Sequence, residues 1–316
     1  MDVERARRRL RLRDLETLVA VVEAGGMHKA ATALHRSQPA VSKGIAELED
    51  ALGVPLLERG RRGVVPTAYG DALTRRARAL VDELRAALRE LAHMADPDGG
   101  EVRLGCMETL HAGLIGAAVA EFTERHPRMR FTLESAQAHE LVAHFLAGRL
   151  VDFVVARPLD LPLPPGVVGE PLFHDRLVVF AGKGHRLARR RTLSIADLHG
   201  ERWILGRNEA SPHSPVGMAC AAAGLGLPPR LVSSGSLNLR YGLLDTGRFL
   251  TCLPHSLLPW VGVRSTLRPL PVELPVWPMP TMVMTLEGRT LPAAAKRFLL
   301  RVRELALPFS GDGVGT

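Results

Sequence analysis

The sequence predicts a multidomain protein with an α-rich, winged helix-turn-helix head, a long linker helix and a C-terminal α/β domain. Three patterns carry that expectation. Near the N-terminus, short helical stripes precede two β-like runs joined by an arginine-rich turn; residues 67–94 then hold an apolar seam without a proline; beyond a Pro-Gly break, β-like runs alternate with helical ones. A length of 316 residues exceeds one ordinary domain, and 46% apolar with 23% charged residues is the balance of a folded protein.

Apolar residues Leu15, Leu18, Val19 and Val22 recur at helical spacing, and Gly25-Gly26 stops that first helix. A short second helix covers residues 28–34, where Ala30 and Ala31 leave room for a close neighbour. Ser37 is placed to cap a third helix, Pro39 is tolerated in its first turn, and Val41, Ile45, Leu48 and Leu52 form one apolar stripe up to Gly53. The opposite side begins with Gln38, Pro39, Ser42 and Lys43, at the end that a helix-turn-helix inserts into a major groove. Gln suits adenine and Lys suits guanine or phosphate, whereas Glu47, Glu49 and Asp50 further along must point away from DNA. Residues 54–59 and 64–66 read as a hairpin whose Arg59, Arg61 and Arg62 either grip phosphates or form a solvated loop.

The net charge of +8 points to a polyanion, but residues 1–100 are nearly balanced, so local patches matter more than the total. The run Arg5, Arg7, Arg8, Arg9, Arg11 and Arg13 is either a solvated tail or a phosphate-binding arm. The basic N-terminus lacks the apolar core of a secretion signal, and no apolar run approaches the roughly 20 residues of a membrane helix, so the cytoplasm is the expected location and no membrane partner is expected. Cys106, Cys220 and Cys252 are too widely spaced for a zinc site or disulfide framework and read as buried free thiols.

Thr67 is placed to cap a helix, along which Leu73, Ala77, Leu80, Leu84, Ala87 and Leu91 alternate by four and three, which is a coiled-coil seam. A helix of roughly 40 Å is too long for so small a head to bury, so either a second copy or the chain's own C-terminal domain must cover it. The run Asp96-Pro97-Asp98-Gly99-Gly100 reads as a flexible joint. Beyond it, β-like runs at 102–105, 131–134, 152–156, 177–180, 203–205, 231–233, 249–253 and 281–286 alternate with helical patterns at 110–125, 139–148, 216–223, 237–246 and after Pro292.

The order of residues in the head is more specific than its pattern. Ala30-Ala31, Leu34, Ser37-Gln38-Pro39-Ala40-Val41-Ser42, Ile45, Leu48-Glu49, Leu52 through Arg59, Thr67 and Gly70 closely resemble the N-terminal signature of LysR-type transcriptional regulators. Gly26-Met27 stands where that family usually has Ser-Phe, and Leu57 where it has Phe; the serine's cap is thereby lost, while Met and Leu still fill a core. The resemblance implies promoter-DNA binding through Ser37, Gln38, Pro39, Ser42, Lys43, Arg59, Arg61, Arg62 and Thr67. It also implies a homodimer or tetramer, a contact with RNA polymerase, and a two-lobed effector domain built like a type II periplasmic binding protein. The expected boundaries are a head at 1–66, a dimerising helix at 67–95, a joint at 96–100 and an effector domain at 101–310. Its first lobe spans about 101–160 and 278–308 and its second about 161–277, with crossings near the proline-rich 158–165 and 267–280.

A cleft between such lobes suits a small carboxylate or similar anion, which helix N-termini and hydroxyls would hold. The residues expected there are Thr109, Ser135, Gln137 and Arg157, with Ser211, Ser214, Ser234 and Ser236 from the second lobe; for each hydroxyl, helix capping is the alternative. The segment 57–63 is similar to a branch of the family associated with sugar and aromatic-acid catabolism, which makes a small organic or aromatic acid the expected effector. No cofactor and no metal are expected: His111 with His126 and His139 with His144 lack metal-ligand spacing. No Gly-x-Ser-x-Gly elbow or phosphate loop occurs, so an enzyme is not expected. A solute-binding protein would need an export signal, an α/β enzyme fused to a DNA-binding head would need a catalytic cluster, and a redox sensor would need a reactive thiol pair.

Overall fold

The computed structural model describes residues 3–60, 63–96, 98–158, 162–261, 267–276 and 280–310. They form two compact units, Met1–Leu91 and Ala92–Thr316.

The first unit opens with a helix that periodicity did not signal, α1 (Val3–Arg9), in which Arg7 and Arg8 pair with Glu4 at 2.9 and 3.6 Å. Part of the arginine run is therefore helical, and its Ala6 is buried in the core of the head. Helices α2 (Leu12–Ala24), α3 (Met27–Ala33) and α4 (Gln38–Leu52) follow. Gly25 and Gly53 end α2 and α4 with φ of 64° and 71°, left-handed values at which a Cβ would be strained. No side chain caps α3 at Gly26, as expected where serine is missing. The hairpin pairs β1 (Leu57–Gly60) with β2 (Gly63–Pro66) antiparallel, Leu57 opposite Pro66. Helix α5 (Ala68–Ala95) then runs 28 residues.

In the second unit, β3 (Gly99–Cys106) takes up both glycines of the expected joint. They pair with Arg128 and Met129 of β4 (Arg128–Ser135), and Asp96 is bound to Arg128 at 2.6 Å. The joint at 96–100 is thus corrected: Gly99 and Gly100 belong to the sheet and Asp96 is tied to it, with Pro97 outside the described residues. Gly100 is a glycine because a Cβ there would lie 3.3 Å from that of Ala294 on a backbone with φ of 139°.

The helix expected at 110–125 is α6 (Glu108–Leu110), a π-helical turn (His111–Ile115) and α7 (Gly116–Arg125). Non-helical angles at Gly113 interrupt it, and a Cβ there would come 2.9 Å from Trp260 Cδ1. Helix α8 (Ala138–Glu140) likewise continues as a π-helical turn, Leu141–Leu146. The remaining elements are β5 (Phe153–Ala156), β6 (Val167–Phe173), β7 (Leu177–Gly182), α9 (Ile195–His199), β8 (Arg202–Leu205), α10 (Pro215–Ala222) and β9 (Arg230–Ser233). After them come α11 (Leu237–Asp245), β10 (Phe249–Pro254), a 3-10 turn (His255–Leu257), α12 (Leu258–Val261), β11 (Leu267–Pro269), β12 (Thr281–Leu286) and α13 (Ala293–Ala306).

Two five-stranded sheets result, in the orders β4-β3-β5-β12-β6 and β11-β7-β10-β8-β9. The first buries Leu104, Phe153 and Val155 against Leu114, Phe122 and Phe298; the second buries Val179, Trp203 and Leu250 against Val216 and Leu198. One expected lobe boundary moves. Residues 167–173 pair antiparallel with β12, so the chain leaves the first sheet at residues 174–176 and not at 158–165. The prolines at 162 and 164–165 lie on the way to β6, an edge strand that tolerates Pro171. No described helix is long and apolar enough to cross a membrane.

Candidate functional site

In the head, burial of Val41, Ile45, Leu48 and Leu52 fixes the rotation of α4. The opposite side, with Gln38, Pro39 and Lys43, is exposed and Ser42 half-buried. Ser37 caps the helix, its Oγ accepting from the Ala40 N–H at 3.4 Å. Lys43 rests 3.7 Å from Glu47 in an exposed pair, an interaction weak enough for a phosphate or base edge to replace. Glu49 turns away from this surface, and its Oε1 accepts the N–H groups of Leu56 and Leu57 at 2.7 and 3.1 Å, tying α4 to the hairpin. Thr67 is occupied structurally: its hydroxyl donates to Pro55 O at 2.8 Å and accepts from Gly70 N at 3.1 Å, capping α5. Arg61 and Arg62 lie outside the described residues; Arg59 lies on β1.

In the second unit, a pocket of about 260 Å³ opens where parallel strands β3, β4, β5, β8 and β9 end, the usual ligand position of open α/β sheets. Thr109, Ser135, Gln137 and Arg157 all line it. The four second-lobe serines do not, and each has a local task. Ser214 caps α10 through Gly217 N at 3.0 Å, and Ser236 caps α11 through Leu239 N at 3.3 Å. Ser234 Oγ accepts from Ser236 N, and Ser211 Oγ from His213 N, both at 3.2 Å. Capping is the reading that holds for Ser214 and Ser236, while Ser211 and Ser234 each bond a local turn.

The second sheet instead contributes Asn208, Glu209 and Arg240, which no spacing in the sequence signals. Arg240 is buried and meets Glu209 at 2.9 Å, donates to Cys252 O at 3.0 Å, and reaches Ser234 O at 3.4 Å. Across the pocket, Arg157 stands 3.7 Å from Asp175. Burial pushes the Arg157 guanidinium below its ordinary pKa, and the charges of Asp175 and Glu209 oppose that shift. Asp175 in turn accepts from Ser256 N at 3.1 Å and from Ser256 Oγ. The three cysteines are buried, and burial raises their thiol pKa values. No group of three or more His, Cys, Asp or Glu side chains suited to a metal occurs among the described residues.

Known proteins share this architecture. The model for the bacterial regulatory helix-turn-helix protein, lysR family, matches residues 12–71, and the LysR substrate binding domain matches residues 95–306. The chain is 31% identical to the HTH-type transcriptional regulator GalR of Pseudomonas putida over 83% of its own length and 66% of that protein. It is 28% identical to the DNA-binding transcriptional dual regulator OxyR of Escherichia coli over 79% of this chain and 81% of that one. In fold it is similar to a full-length OxyR variant from Pseudomonas aeruginosa, with a TM-score of 0.66 at 22% identity over 95% of this chain and 96% of that one. It is also similar to full-length CbnR complexed with target DNA, with a TM-score of 0.59 at 22% identity over 94% of this chain and all of that one. The chain therefore belongs to the LysR family, as a DNA-binding transcriptional regulator with a C-terminal substrate-binding domain.

Proposed function

We propose that this regulator works in the cytoplasm as a homodimer, or as a tetramer built from dimers, which reads promoter DNA with the leading end of α4 and has no enzymatic activity of its own. The observation that carries this reading is the division of α4, whose Val41–Leu52 stripe is buried while Gln38, Pro39 and Lys43 stand exposed around its N-terminus. Ser37 and Ser42 complete that surface, and Arg59, Arg61 and Arg62 of the hairpin supply salt-dependent phosphate contacts. Leu80, Leu84 and Leu91 of the α5 seam are 56%, 42% and 62% exposed, an apolar face that a second copy would cover. Two heads joined in this way read two half-sites.

A small molecule enters the pocket lined by Thr109, Ser135, Gln137 and Arg157. It acts by binding one arrangement of the assembly more tightly than another, which changes how the paired heads meet the promoter and RNA polymerase. Band-shift titration on the protein's own promoter tests the DNA surface. Gln38→Ala and Lys43→Ala should each weaken binding about 10- to 100-fold, in line with about 1–3 kcal/mol per base contact, with the melting temperature unchanged. Wild-type affinity in the double variant would refute it.

A further inference from the structure

The excess positive charge of this chain lies outside its DNA-reading head. Residues 177–276, which build the second sheet and its helices, hold 12 Lys/Arg against 5 Asp/Glu, so nearly all of the net +8 belongs to them. Much of it gathers at the end of that sheet opposite the pocket, where parallel strands β8, β9 and β10 begin and β7 ends. Arg202 and Arg230, the first residues of β8 and β9, are register partners, and Phe249 pairs with Arg202 on its other side. The register of β7 with β10, Leu250 opposite Ala181, brings Arg248 level with Lys183, and a Cβ at Gly247 would lie 3.2 Å from the Gly184 backbone. Four neighbouring strands thus present Lys183, Arg248, Arg202 and Arg230, all exposed, in a row about 14 Å long at about 4.8 Å per strand. Like charges set opposite each other in a sheet are destabilising, a cost that an anion against the row would relieve.

The turn after β7 enlarges the row. It is anchored by buried His185, whose Nδ1 accepts the Leu187 N–H at 3.2 Å, and by Leu187 and Leu193 in the core. Arg189, Arg190 and Arg191 stand exposed on it. Nearby carboxylates are already engaged: Glu201 pairs with Arg186 and lies 3.4 Å from His185 Nε2, and Asp197 accepts from Ser194 N and Oγ at 2.8 Å. Of the other three acids, Glu209 lines the pocket, Asp245 ends α11 and Glu273 follows β11. None of the seven cations has a hydrogen-bond or ion-pair partner among the described residues. The first sheet differs at its corresponding end, where Arg128 is closed by Asp96 at 2.6 Å and Arg103 and Arg289 close on Asp152 at 2.8 and 3.5 Å.

We propose that this end of the second sheet is a further DNA contact, which grips the phosphate backbone of duplex flanking the half-sites, without regard to sequence. The inference rests on the chain's DNA binding and not on the pocket. Guanidiniums bond phosphate oxygens in pairs, and DNA already held by the heads is at high local concentration. The duplex is the form that fits: Trp203 is buried and Phe249 half-buried, so no exposed aromatic side chain of these strand ends offers unpaired bases a surface to stack on.

Anisotropy titrations of the full-length protein over a range of salt concentrations compare a duplex that ends at the half-sites with one extended on both sides by unrelated sequence. The wild type should bind the longer duplex about tenfold or more tightly, with a steeper salt dependence. Combining Arg202→Gln, Arg230→Gln and Arg248→Gln should remove that advantage and about 2 to 3 from the slope, at about 0.9 per phosphate contact, while affinity for the short duplex and the melting temperature stay unchanged. Arg189→Gln, Arg190→Gln and Arg191→Gln, on the turn, should act alike and keep the test open if the strand variant folds poorly. Lysine at the three strand positions should retain most of the affinity. Equal wild-type affinity and slope on both duplexes overturns the proposal, as does an equal loss on both in the variants, which traces to the heads. Promoter activation lost in cells with DNA binding intact assigns the surface to an acidic protein and overturns it too.

Discussion

Asp175 lies in the short crossing between the two sheets and ties Arg157, at the end of β5, to Ser256, which follows β10. One carboxylate thus joins the carboxyl end of the first sheet to the second at the edge of the pocket. Replacing it with alanine leaves the Arg157 charge and the Ser256 N–H buried without this acceptor, a loss of about 3–5 kcal/mol by the usual cost of breaking a buried pair. Asp175→Ala should lower urea resistance by that order, and Asp175→Asn, which keeps an acceptor, should lower it less. Equal stability of all three proteins would show that the pair does not hold the crossing.

Gly70 is required by space. A Cβ at this position would fall 1.9 Å from the Leu56 carbonyl oxygen and 3.2 Å from Pro66 Cβ, so α5 could not follow the hairpin as closely as it does. Gly70→Ala should destabilise the head by about 1–3 kcal/mol, as overpacking does, and weaken promoter binding in parallel. Chemical denaturation followed by a probe in the head measures it; unchanged stability would place the tight contact elsewhere.

The dimer we propose through α5 predicts the effect of charge on its exposed seam. Leu84→Glu combined with Leu91→Glu should shift the protein toward monomer in sedimentation experiments and reduce affinity for a two-half-site promoter by more than about tenfold. A half-site probe should lose little. A variant that sediments as the wild type does would assign dimerisation to another surface.

The imidazole of His111 carries a buried Nε2 with no partner among the described residues, and burial lowers its pKa below the ordinary 6.5. The unfolded chain then binds the proton more readily than the fold does. Its contribution is fully present above pH 6.5 and is lost as the pH falls from there through the lower folded value. His185 shifts in the same direction, burial again being the larger cause and Glu201 opposing it. The melting temperature should therefore fall between about pH 7.5 and 5, and His111→Phe should flatten part of that slope. A parallel slope in the variant would exclude His111 as a source.

The buried thiols predict resistance to oxidation. Cys106, Cys220 and Cys252 are all 0% exposed, and burial holds the first and last well above the ordinary thiol pKa, so little thiolate exists to react. In native protein, dilute peroxide should leave the titratable thiol count unchanged and alkylation should proceed only on unfolding. Rapid loss of two thiols would revive a redox role.

Much of the head was legible because local chemistry specifies it. The spacing Val41, Ile45, Leu48, Leu52 leaves α4 one way to face its core, and Gly25 and Gly53 stop helices where the backbone must turn left-handed. Ser135, Gln137 and Arg157 were recoverable for a similar reason, since ligands in open α/β sheets gather at strand ends that periodicity already locates. Ser214 and Ser236 were not separable from binding residues, because a capping hydroxyl and a ligand-binding hydroxyl have the same sequence context, and the local turn bonds of Ser211 and Ser234 leave no clearer trace.

By itself the sequence determined the helix-turn-helix, the exposed leading end of its third helix and the alternation of strands and helices, all of which follow from side-chain periodicity over a few turns. Tertiary structure alone decided that residues 167–173 return to the first sheet, that Glu49 ties α4 to the hairpin and Thr67 also bonds Pro55 O, and that Arg240 meets Glu209 across 31 positions of chain. Such partners are set by which distant segments pack together, and the charge of a pocket is known only once every ion pair around it has been closed.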